Sequence, residues 1–279
     1  MAQEHDVSHW DQGWSTLNNV PLENKIALQN VMQSSYWLKI QQFVEDQYGS
    51  INGINVIEVG CGRGLVSAAM ATQGAEVTLV DLSKAALTCA EEFYANHGLA
   101  SPTCVLADAF HIPDRLLGQF EVACSFGLVE HFRGQERVEI FETHASLLRP
   151  RGCAIISAPN RLYLPSQIYQ FIAKRLDVWP YGYEKDFTPR ELLRYGQIAG
   201  LVDCSVIGSE VIYDLYRHIF LKLPAFFGQI VRRRTQGPVT AEYGESGKYT
   251  LSARAKRTIV TSPLDSLLGF ILVLLAHKS

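Results

Sequence analysis

The decisive stretch is Val56-Ile57-Glu58-Val59-Gly60-Cys61-Gly62-Arg63-Gly64-Leu65. A short β-branched run breaks into three glycines at alternating positions. The chain then resumes as the helix-compatible Leu65-Val66-Ser67-Ala68-Ala69-Met70-Ala71, which predicts a strand, a tight turn and a helix. Glycine serves such a turn because the backbone bends sharply and a ligand must come closer than a β-carbon permits, while the N–H groups of the new helix point at it. The next apolar run, Glu76-Val77-Thr78-Leu79-Val80, ends in Asp81, whose two oxygens suit the two hydroxyls of a ribose. The two segments together predict a nucleoside pocket.

A dinucleotide fingerprint would place its third glycine at position 65, which is Leu65, so an NAD-dependent oxidoreductase is the weaker reading. The pattern Glu-x-Gly-x-Gly-x-Gly instead resembles the first motif of the class I S-adenosylmethionine-dependent methyltransferases, and the likeness runs over roughly residues 50 to 160. The resemblance implies S-adenosyl-L-methionine as cofactor, S-adenosyl-L-homocysteine as product, and a set of site residues. Glu58 would anchor the methionine end, with strand-end capping as the plainer alternative. Gly60, Cys61, Gly62 and Gly64 would pass beneath the cofactor, Asp81 would accept the ribose diol, and Leu82 would pack on the adenine. Asp108 followed by Ala109 resembles the third motif, which holds the adenine amino group. Ser125-Phe126-Gly127-Leu128-Val129-Glu130-His131 resembles the fourth, which lines the space between cofactor and acceptor.

His131 is the general-base candidate, since an imidazole titrating near neutrality can take a proton from an attacking hydroxyl or amine. Alignment alone can supply most of the acceleration in a one-step methyl displacement, so structural packing is the alternative role. Quinone O-methyltransferases, a subgroup this chain resembles, carry two glutamates and a histidine around a divalent ion in the fourth motif. Here Gly127 replaces the first glutamate, and no metal is expected from Glu130 and His131 alone. Tyr36, Glu130, Asn160, Tyr181 and Tyr183 are the acceptor-wall candidates, and Trp10 and Trp14 are either lid residues or packing anchors.

The chain has 279 residues, a net charge of −3 and 19% charged residues. That length buries a full core, and that charge gives no basic field for nucleic acid, so a small-molecule acceptor is expected. The six cysteines form no C-x-x-C pair and read as buried thiols rather than a disulfide or metal framework. The N-terminus shows no basic-then-apolar leader, which predicts a cytoplasmic enzyme. The apolar run from Leu267 to Ala276 is about half the length of a membrane span and reads as a buried strand.

Short buried strands alternating with helices predict an α/β fold. The resemblance makes it a doubly wound, mostly parallel seven-stranded sheet with an N-terminal helical cap (1–50), a cofactor-binding core (51–210), an insertion (211–262) and a terminal strand (263–279). Residues 23–48 should form one or two helices, and Thr188-Pro189-Arg190-Glu191 should open another. The insertion is apolar up to Val231 and then reads Arg232-Arg233-Arg234. It is expected to be a substrate lid or a homodimer contact, with peripheral membrane attachment through 211–234 as the other reading. The expected activity is methyl transfer to a small or medium organic acceptor, at oxygen by general frequency. The alternative is a protein that binds the same cofactor without transferring its methyl group, or that catalyses another reaction such as cyclisation.

Overall fold

The computed structural model describes residues 7–15, 21–177, 179, 182–209 and 265–279. Seven strands, β1 (Asn55–Val59), β2 (Glu76–Asp81), β3 (Thr103–Leu106), β4 (Phe120–Phe126), β5 (Leu148–Pro159), β6 (Leu201–Gly208) and β7 (Ile271–Lys278), form one sheet. Their order is β3-β2-β1-β4-β5-β7-β6, with β7 antiparallel to both neighbours and the remaining pairs parallel. Sequential strands run outward from β1 on one side and from β4 on the other. The strand order therefore reverses between the parallel neighbours β1 and β4, and a cleft opens beyond their carboxyl ends.

The strands are apolar on both faces because both are covered. Val56, Leu79 and Cys124 pack in one layer with Trp37, Ile40 and Phe93. Ile57, Val80 and Ala123 turn the other way, onto Ile140, Phe141 and Leu192. The helices in chain order are α1 (Val7–Ser15), α2 (Pro21–Met32), α3 (Ser35–Tyr48), α4 (Leu65–Ala71), α5 (Lys84–Asn96), α6 (Glu136–Leu147), α7 (Leu164–Arg175), α8 (Pro189–Ile198) and α9 (Asp265–Leu268).

The segment 23–48 is two helices, because Ser34 caps α3 by accepting from the N–H of Trp37 at 3.3 Å. The predicted start of α8 is a full capping box between Thr188 and Glu191. β5 begins at Leu148, with a register shift against β4 between Phe120 and Val122. α7 follows shortly after its end. α1 precedes α2 and carries Trp10 and Trp14. Residues 211–262 lie outside the described residues, and with them the lid, dimer and membrane readings of the insertion. The six cysteines are free thiols. Among the described residues no helix is long and apolar enough to cross a membrane.

Candidate functional site

A cavity of about 430 Å³ lies beyond the carboxyl ends of β1, β2 and β4, a volume in the range of small-molecule sites. Its floor is the turn from β1 into α4. Gly60 and Gly62 have φ of +62° and +52°, the left-handed region in which a β-carbon is strained. The space is also taken: a β-carbon at Gly60 would sit 2.6 Å from Leu128, and one at Gly62 would sit 2.5 Å from the indole of Trp14. Gly64 serves the turn differently. It precedes α4 at φ +63°, packs against Leu79 and does not line the cavity.

Asp81 braces this floor. Its Oδ2 accepts from the N–H of Gly62 and its Oδ1 from the N–H of Ser83, both at 2.9 Å, so one carboxylate ties the β1 turn to the end of β2. Burial raises its pKa, and the N–H donors of Ser83 and Gly62 oppose the rise. Glu58 is fully buried at the end of β1 and accepts from the N–H of Ser67 at 3.3 Å. Burial pushes its carboxyl up to about 7 against that hydrogen bonding. The cavity thus holds two carboxylates whose ionised forms a nearby positive charge would favour. The Cys61 thiol is pushed well above its ordinary range by burial and by the neighbouring carboxylates, leaving an inert wall.

Leu82, Asp108, Ala109 and Phe126 line the same cavity, and Asp108 Oδ1 accepts from the N–H of Phe110 at 2.8 Å. Ser125 is buried beneath it, its hydroxyl outside the lining. On the opposite wall stand Tyr36 and His131. His131 closes a short 3-10 turn, Val129–His131, with Nδ1 2.9 Å from the carbonyl oxygen of Tyr183.

The remaining acceptor-wall candidates are placed elsewhere. Asn160 is fully buried, its amide nitrogen donating to the carbonyls of Leu267 and Gly269 and its oxygen accepting from the N–H of Leu162. It fastens the end of β5 to the approach of β7. The ring of Tyr183 lies beneath the guanidinium of Arg133 at 3.7 Å, and only its backbone meets His131. Glu130 is buried behind the wall. Tyr181 lies outside the described residues.

The sequence reading passed over several lining residues, Arg63, Leu128 and Phe132 among them, and left the roles of Trp10 and Trp14 open. The two tryptophans are four residues apart on α1 and so share one face. That face crosses the cavity: Trp14 covers Gly62, and Trp10 meets the His131 ring edge-on with centroids 5.1 Å apart. The i, i+4 aromatic spacing was the available signal. Among the described residues no group of three or more His, Cys, Asp or Glu side chains is arranged to hold a metal ion.

Comparison with known proteins places this geometry. A family profile described as a methyltransferase domain matches residues 56–152, from β1 into β5. A ubiquinone biosynthesis O-methyltransferase of Paraburkholderia phymatum is 30% identical over 167 residues, 58% of this chain and 71% of that protein. One of Aeromonas salmonicida is 29% identical over 57% of this chain and 68% of its own length. Among solved structures, a SAM-dependent methyltransferase of Thermotoga maritima superposes with a TM-score of 0.58 over 98% of this chain and 99% of that one, at 12% identity, a likeness of fold. By its sequence relatives, its sheet order and its glycine-floored cavity, the chain belongs to the class I S-adenosylmethionine-dependent methyltransferases.

Proposed function

We propose that the chain methylates a hydroxyl oxygen of a small, largely apolar, ring-bearing acceptor, with His131 taking the hydroxyl proton. The observation that carries this reading is the convergence on one cavity of the Asp81-braced glycine floor and the imidazole of His131. The names of the similar ubiquinone biosynthesis O-methyltransferases support oxygen as the acceptor atom. Aromatic and aliphatic walls at Trp10, Tyr36, Phe126 and Phe132 favour an apolar ring over a sugar or a charged peptide.

The residues suit the cofactor. A β-carbon at Gly60 or Gly62 would crowd the floor, and the buried pair Glu58 and Asp81 favours a ligand that carries positive charge. Each Asp81 oxygen retains a lone pair beyond its bond to Gly62 or Ser83, enough for both ribose hydroxyls. Glu58 would hold the ammonium end and Asp108 the adenine amino group, with Leu82 and Ala109 on the faces of the ring. When bound, the cofactor would supply an electrophilic methyl group on a sulfonium, with a neutral thioether as leaving group. The chain contributes alignment and a dry cavity through Trp10, Leu128 and Phe132, and His131 accepts the released proton at Nε2.

The test is incubation with methyl-labelled cofactor and a panel of phenols, catechols, aliphatic alcohols and amines, read by mass. Label in the phenols or catechols is expected. Saturable cofactor binding with no labelled product across the panel, or label confined to amines, overturns the reading.

A further inference from the structure

His131 meets a second group that its place in the fourth motif does not announce. Its Nε2 lies 3.8 Å from Oε1 of Glu184, and the two side chains are only 16% and 8% exposed. Nδ1 faces the Tyr183 carbonyl, which can only accept, so Nδ1 carries the proton and the neutral ring presents its lone pair at Nε2, toward Glu184. A carboxylate facing a lone pair gains nothing. The same carboxylate facing an Nε2–H⁺ gains an ion pair. We infer that Glu184 is the positioning residue of this site: the Tyr183 carbonyl holds the Nδ1–H form, and Glu184 stabilises the ring once Nε2 is protonated, favouring arrival of the acceptor's proton there. The inference rests on the reading of His131 as the base.

The loop that carries Glu184 is fastened on both sides of it. The backbone N–H of Lys185 donates to the carbonyl of Glu130 at 3.0 Å, and Arg137 Nη2 donates to the carbonyl of Lys185 at 2.8 Å. The carboxylate of Asp186 accepts from Gln170 at 3.0 and 3.1 Å, and the N–H of Phe187 donates to Pro159 at 2.9 Å. The backbone of Tyr183, Lys185 and Phe187 and the side chain of Asp186 are thus anchored to the His131 turn, α6, α7 and β5, which leaves Glu184 little room to move away.

Among the charged groups around His131, Glu184 is the carboxylate that faces its ring. Glu130, the preceding residue, is fully buried with Oε2 lacking a hydrogen-bond partner. Burial first, and then the nearness of Glu184, push its carboxyl well above the usual range. Arg133 is engaged over the ring of Tyr183, and Arg137 over that of Phe187. Asp186 is taken up by Gln167 and Gln170. From α1 the neighbour is the uncharged ring of Trp10.

The experiment compares wild type, Glu184→Gln, Glu184→Asp and His131→Ala. In the cofactor-free protein the His131 ring nitrogens are followed by NMR against pH, the signals assigned by their loss in His131→Ala. Glu184→Gln is expected to lower the titration midpoint of His131 by about one pH unit, with Glu184→Asp recovering at least half of that shift. In the assay, the acid limb of kcat/KM should move down by a similar interval and the plateau should fall about tenfold, with the KM for cofactor unchanged. An unmoved midpoint in Glu184→Gln, or a fall in rate without displacement of the limb, overturns the role of Glu184. Full activity in His131→Ala overturns the base reading instead, a result distinct from either.

Discussion

Asp11 on α1 accepts a hydrogen bond of 2.5 Å from the hydroxyl of Ser83, the residue that caps α5. The same Oδ1 lies 3.3 Å from the N–H of Ala85, so one carboxylate fastens α1 across the mouth of the cavity to the positive end of a neighbouring helix. α1 is half exposed and packs on α5 and the cavity wall, outside the sheet core, which makes it a segment able to open separately from the core. Asp11→Ala should remove roughly 1–3 kcal/mol of its docking, the usual worth of a charged hydrogen bond. Cofactor should dissociate about tenfold faster, the amides of residues 7–15 should exchange faster, and global unfolding should change little because Ser83 still caps Ala86. Stopped-flow release and hydrogen exchange check this, and unaltered exchange in 7–15 would sink it.

The Asp81 carboxylate holds the turns together and, in the proposed function, also presents acceptors to a diol. Asp81→Asn keeps one acceptor oxygen but turns an NH₂ toward the N–H of Gly62 or Ser83. The dissociation constant for S-adenosylhomocysteine, measured by calorimetry, should rise about 10- to 100-fold, equivalent to one charged hydrogen bond. A change below about threefold would remove Asp81 from the binding role, because the loss of a charged acceptor costs more than that.

The sheet was legible because its signals are local. β-branched runs ending in Gly60, Asp81 and Asp108, and the Thr188 cap, each report a period or a terminus within a few residues. The cofactor half of the site follows from the same segments, since strand ends in a doubly wound sheet are brought together by topology. The acceptor half does not. Asn160 sits at a strand end like the others, yet its amide is consumed by Leu267 and Gly269, over a hundred residues away, which no local pattern announces. Glu184 shows the reverse case: an ordinary loop glutamate in sequence, brought to His131 by anchors on four separate elements.

Gly62 is constrained twice, by φ of +52° and by the indole of Trp14. Alanine there should cost about 1–2 kcal/mol for the left-handed backbone, besides displacing the indole. Gly62→Ala should therefore lose both cofactor affinity and protection of α1. Trp14→Ala on the same chain should restore part of the affinity by relieving the contact, leaving the backbone cost. A double-mutant cycle on the cofactor dissociation constant should show coupling above about 0.5 kcal/mol, and strict additivity would mean that the two residues do not meet.

Glu58 gives the protein a pH dependence that a second buried group conceals. Its carboxyl, pushed from 4.5 up to about 7 by burial, binds its proton more tightly in the folded state than in the unfolded chain. Folding stability from this group is therefore full below about pH 4.5 and is lost as pH rises toward 7, an effect of about 3 kcal/mol. His144 acts oppositely: burial lowers it to about 4 from 6.5, so its contribution grows as pH rises through that interval. The two nearly cancel between about pH 4.5 and 6.5, while the raised carboxyls of Asp81 and Glu130 add their own loss of stability as pH rises. The difference between Glu58→Gln and wild type isolates Glu58, and variant minus wild type should increase by up to about 3 kcal/mol between pH 4.5 and 7.5. Urea unfolding of the cofactor-free proteins at several pH values measures that difference. Cofactor affinity should respond in the other direction, strengthening with pH in the wild type as ionised Glu58 meets a cationic ligand, and losing that slope in the variant. A stability difference that stays constant across the range would mean that Glu58 titrates as an ordinary surface carboxylate, and the electrostatic basis for a cationic ligand at this strand end would fall with it.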